Sequence, residues 1–156
     1  NTGRPREGWP TYEAQRAAIL WRLGRLDAAR SPLARAISGL RSAYPEGHDE
    51  LAAALLTAAR LAAAAGDAAA ARTLSQEALT SREARLPAGS PKIEEARAEL
   101  GRALVLAGEA KEGQAMLAAA LPALDGWGLL HPDDRAALTA ALGTELRPRV
   151  TPSTRR

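Results

Sequence analysis

Between residues 11 and 146 the apolar positions fall three and four apart, the period of a helix buried on one face, and glycine and proline cut the pattern into segments. A first helix runs from a Thr11 cap to about Leu23 and stops at Gly24. Asp27 is placed to cap a second, on which Ala29, Leu33, Ala36, Ile37 and Leu40 share a face. Pro32 lies early in that helix, where it costs a hydrogen bond or bends the helix and leaves the start of the helix open. Tyr44-Pro-Glu-Gly-His-Asp breaks the pattern, and helices over 51–65 and 67–85 follow on either side of Gly66. Ser90 and Pro91, as cap and first helical residue, open a third pair over 92–107 and 109–124. A turn over 125–132 then leads to one last helix over 133–146.

The segments repeat. Gly24, Gly66 and Gly108 stand 42 residues apart, each in the same setting of alanines and leucines. The same shift lays Leu100-Gly101-x-x-Leu104 on Leu142-Gly143-x-x-Leu146. It also lays Ala29-x-x-x-Leu33-x-x-Ala36 on Ala71-x-x-x-Ser75-x-x-Ala78 and on Gly113-x-x-x-Leu117-x-x-Ala120. These elements predict an all-α fold of three helical hairpins over 11–49, 50–91 and 92–132 and a capping helix over 133–146. A linker over 1–10 precedes them and a basic tail over 147–156 follows. A lone last helix suits such a stack, because the terminal hairpin would otherwise leave its apolar face in water.

Composition sharpens this picture. Phe is absent and only three Trp and two Tyr supply aromatic surface, so the residues that favour strands are scarce, whereas alanine favours helices that approach closely. The net charge of +3 points toward nucleic acid only until it is located. Arg147, Arg149, Arg155 and Arg156 stand in a stretch without acids, and removing these four from the 21 basic residues leaves 17 against 18 acidic. The body of the chain is therefore close to neutral, and no nucleic-acid partner is expected. The absence of cysteine excludes disulfides and thiol chemistry, and the most apolar stretch, 51–71, carries Arg60 and Asp67, so neither export nor membrane insertion is expected. A cytoplasmic location is the expectation, and a start at Asn1 reads as a piece of a larger protein.

The motif spacing resembles the tetratricopeptide repeat, whose first helix carries Leu-Gly-x-x-aromatic and whose second carries Ala-x-x-x-aromatic-x-x-Ala. Leu100-Gly101-x-x-Leu104 and Ala29-x-x-x-Leu33-x-x-Ala36 match it, with aliphatic residues at the aromatic positions. The 42-residue period is similar to that of the kinesin-light-chain subtype, as are the Arg82-Glu83 run into Ser90-Pro91 and the His131-Pro132-Asp133 turn. The resemblance, over residues 11–146, implies a right-handed α-solenoid that acts as a non-catalytic protein–protein interaction scaffold. It implies a bacterial signalling protein as parent, for example one with a serine/threonine kinase domain ahead of the repeats. A structural role, self-association or bracing of a neighbouring domain, is the alternative.

Carried over by position, the concave groove of such a solenoid shows Gln15, Trp21, Arg22, Leu56, Thr57, Arg60, Glu99, Arg102 and Val105. Its three arginines imply a peptide partner with acidic groups, and Trp21 an apolar anchor. The adjacent asparagines with which the subtype holds a peptide backbone are replaced by Ala14-Gln15, Leu56-Thr57, Ala98-Glu99 and Ala140-Ala141, which predicts weak binding of generic peptides. Arg102 and Glu99 also read as an ordinary pair three residues apart on one helix.

No residue set calls for catalysis or a cofactor. His48-Asp49-Glu50 reads as a helix cap, and Glu94-Glu95 and Asp133-Asp134 as acids at the positive ends of helix dipoles. Ala88-Gly-Ser-Pro-Lys92 lacks the spacing of a phosphate loop. Trp127, between two glycines, reads as a plug beneath the last helix.

Overall fold

The computed structural model describes residues 9–128 and 130–143, and these form seven helices with no strand among them. They are α1 (Trp9–Arg22), α2 (Leu26–Ala43), α3 (Asp49–Ala64), α4 (Ala68–Arg85), α5 (Pro91–Leu106), α6 (Ala110–Trp127) and α7 (Pro132–Leu142). The first six make three antiparallel hairpins, each packed on the next, and α7 closes against α5 and α6. The odd-numbered helices touch in a row, α1 on α3, α3 on α5 and α5 on α7. No Cα of α2 lies within 8 Å of one in α4, nor any of α4 near α6. The odd helices thus form one continuous inner row, and the even helices stand apart from one another on the other side.

The recurrent glycines are the stops of the first helix in each hairpin. Gly24, Gly66 and Gly108 have φ of 71°, 77° and 88°, and each has open space where a side chain would stand, so conformation alone selects glycine there. Gly101 and Gly113 serve another purpose. A Cβ on Gly101 would come within 2.8 Å of the Gly113 carbonyl, so these two residues let α5 and α6 meet backbone to backbone. Leu33, Leu40, Leu51, Leu55, Leu79, Ile93 and Leu100 form one core through the hairpins, and Leu117, Leu121, Leu124 and Leu138 a second beneath α7.

Several details differ from the sequence reading. Helix α1 begins at Trp9, inside the stretch read as linker. Residues 1–8 of that linker, the helix positions 144–146 and the tail 147–156 lie outside the described residues. Arg25, not Asp27, holds the N-cap position of α2, and Asp27 sits in the first turn, where the helix dipole favours it. Pro32 is buried within α2, which starts before it at Leu26 and runs on past it. Helix α6 continues through Gly126 to Trp127 and is ended by Gly128 at φ 62°. Trp127 is not a plug. It stands 63% exposed at the end of α6, and leucines fill the space beneath α7 instead.

Candidate functional site: the inner helical face

Four of the nine residues expected to line a groove are joined by charge. Arg60, on α3, is 7% exposed, an expensive place for a guanidinium unless acids surround it. Its Nε donates to Glu99 at 2.7 Å and its Nη2 to Glu95 at 2.8 Å, both carboxylates on α5, and Asp134 on α7 stands 3.9 Å away. Arg22, at the end of α1, reaches the same Asp134 with two hydrogen bonds of 2.9 and 2.6 Å. Arg82, buried on α4, donates to the second oxygen of Glu95 at 2.8 Å and to the Lys92 carbonyl at 2.6 Å. Its Nε faces Asp49 at 3.4 Å, a charge pair without hydrogen-bond geometry, and Asp49 also holds Lys92. Arg102 stands 3.7 Å from Glu99, so the pair within α5 exists but is the longer of Glu99's two.

The network shifts the titration of two of its acids, Glu95 and Asp134. Burial alone would raise the Glu95 pKa, but Arg60 and Arg82 overcome it and hold the carboxyl below its usual range. For Asp134, burial again works upward and is outweighed by the Arg22 hydrogen bonds and the Arg60 charge. Burial disfavours the Arg60 cation, and Glu99, Glu95 and Asp134 more than restore it, so its pKa rises.

The other expected residues fall elsewhere. Leu56 is fully buried, and Thr57, nearly so, donates to the Ala53 carbonyl at 3.1 Å. Trp21 is half-buried against the main core, and Val105 packs against the second core beside Gly113. Gln15 is exposed, and with Thr11, Ala14, Ala18, Glu50 and Thr57 it lines a shallow pocket of about 210 Å³ between α1 and α3. The structure thus joins Arg22, Arg60, Glu99 and Arg102 by charge, while Trp21, Leu56 and Val105 pack into the two cores.

Sequence reasoning missed Glu95, Arg82 and Asp134 as members of this cluster. One signal was present: a lone arginine inside the alanine-rich 51–71 stretch requires a carboxylate from another helix. The histidines cap helices, His48 Nδ1 accepting from the Glu50 N–H at 3.2 Å and His131 Nδ1 from the Asp133 N–H at 3.3 Å.

Outside this face, α1 carries a second feature. Trp9, Tyr12 and Ile19, with Leu23 just past its end, are 50%, 59%, 60% and 66% exposed, and their spacing of three, seven and four sets them on one side of the helix. Arg16 lies among them. The 42-residue shift maps positions 9, 12 and 19 onto Leu51, Ala54 and Leu61 of α3 and Ile93, Ala96 and Ala103 of α5, all buried. The side of α1 that faces water is the side that α3 and α5 bury against the hairpin before them.

No family model matches the chain, and no curated protein matches it. Among the described residues, no helix is long and apolar enough to cross a membrane.

Proposed function

We propose that this chain is a non-catalytic protein-interaction segment of the tetratricopeptide type, a right-handed α-solenoid, and that it docks through the outward side of α1. The observation that carries this reading is the exposed Trp9, Tyr12, Ile19 and Leu23 at positions whose repeat equivalents are mostly buried. Large apolar side chains lined up in water mark an interaction surface. The inner face is less suited to an acidic peptide, because Arg22 and Arg60 already hold acids of the same chain, and a ligand carboxylate would have to displace Asp134, Glu95 or Glu99. Stacked hairpins hold the α1 side rigid, so docking orders little of the receptor.

The test compares capture of partners from lysate by the wild-type chain, by Ile19→Glu and by Arg102→Glu, each checked for unchanged helicity. Loss in Ile19→Glu alone supports docking through α1. Loss in Arg102→Glu alone returns the site to the inner groove and refutes this reading. The self-association alternative is favoured by the same stripe and is taken up next.

A further inference from the structure

We infer that the outward side of α1 is the contact of a two-fold homodimer, in which α1 of one copy lies antiparallel on α1 of another. This rests on the reading that α1 is the docking surface. The register states what the side suits: in α3 and α5 the equivalent positions are covered by helices of the preceding hairpin, so a helix with an apolar side fits there. The chain itself supplies one. Of the seven large hydrophobic residues exposed among the described residues, four belong to this stripe and none to α7 at the other end of the stack, whose exposed residues are Pro132, Asp133, Arg135, Ala136, Thr139 and Ala140.

That contrast selects the symmetry. Head-to-tail stacking would set Trp9, Tyr12 and Ile19 against small side chains and leave much of their surface unfilled, and it would propagate without closing. Two α1 stripes face to face bury large residues against large ones and close as a pair. An antiparallel crossing between positions 16 and 19 places Ile19 beside the Arg16 stem of the other copy and Tyr12 beside its Leu23. The half-exposed rings and aliphatic side chains amount to on the order of 400 Å² of apolar surface per copy. With Gln15, Arg16 and Arg25 as rim, the total comes to roughly the 1,200 Å² at which specific interfaces begin, the size class of weak association, for which a micromolar dissociation constant is expected.

Sedimentation equilibrium of the full chain is the test. The expected mass rises from the 16.3 kDa of one chain toward twice that value across the micromolar range. Ile19→Arg is expected to weaken association at least about tenfold, with helicity unchanged because Ile19 is mostly exposed. Because the chain has no cysteine, Ile19→Cys provides an independent readout: oxidation is expected to trap covalent dimers, and Ala118→Cys on the outer helix α6 is expected to trap none. A mass of one chain up to about 200 µM, well above a micromolar dissociation constant, overturns the proposal. So does a dimer indifferent to Ile19→Arg. In the first case, loss of a captured partner by Ile19→Glu still leaves α1 as a docking surface for a different protein.

Discussion

Arg22 and Asp134, 112 residues apart in the chain, meet in a two-pronged ion pair with hydrogen bonds of 2.9 and 2.6 Å. The pair ties the first helix to the last, past two intervening hairpins. Arg22→Ala removes both bonds and leaves Asp134 with the more distant Arg60, an expected cost of about 1–2 kcal/mol. The loss is expected to concentrate at the end of the stack. Hydrogen exchange of the α7 amides should accelerate about tenfold, which follows from ~1.4 kcal/mol, while α3 stays protected. Unchanged exchange in α7 would show that its leucines alone hold it.

The same acids predict how stability responds to pH. Glu95 and Asp134 titrate below their ordinary values in the folded chain, so they release protons more readily folded than unfolded. Their contribution is complete above those ordinary values, 4.5 and 3.8, and is lost as pH falls through the lower folded values. The urea midpoint is therefore expected to hold near neutrality and to drop below about pH 4.5. Glu95→Gln should lower the neutral plateau and flatten the acid slope. An equally steep slope in the variant would assign the acid loss to other carboxylates.

Arg60 separates pairing from packing. Arg60→Ala leaves Glu95 and Glu99 without their shared cation in the interior, at an expected cost of about 3–5 kcal/mol. Replacing both partners, Arg60→Met with Glu99→Leu, is expected to cost less than the sum of the single changes, since one charge no longer waits for the other. A double-mutant cycle by urea denaturation measures this coupling, and simple additivity would count against it.

Two glycines distinguish conformation from space. Gly66→Ala puts a side chain on left-handed backbone with open surroundings and is expected to cost about 1 kcal/mol, with Gly66→Asn milder. Gly101→Ala meets no backbone strain but pushes against the Gly113 carbonyl, Leu117 and Met116, at an expected cost of about 3 kcal/mol. Thermal melts of the three variants should rank Gly101→Ala lowest and Gly66→Asn nearest to wild type.

The contrast between these glycines also explains how much could be read in the chain. Gly24, Gly66 and Gly108 mark helix ends by a local rule, so the helix–helix rhythm was legible from spacing alone. Sequence distance hid the inner face. Glu99 has a neighbour three residues away in Arg102, yet its close partner is Arg60, 39 residues back on another helix. Trp127 was misread because a tryptophan between glycines gives no sign of whether the helix runs past the first glycine, and α6 does. Ile19 carries no mark of its own in the sequence; the burial of its equivalents Leu61 and Ala103 sets its exposure apart.

The spread of the outer helices gives the molecule a preferred direction of give. Between α2 and α4 the wall opens into a slot of about 740 Å³, floored by Leu51 and Leu55 of α3 and spanned by the Arg41–Glu77 ion pair. Squeezing that slot shut compresses no backbone contact. Prising it wider strains the ion pair on the outside and crowds the packed inner row. Closing the slot is therefore expected to cost less than widening it, an asymmetry set by which helices already touch.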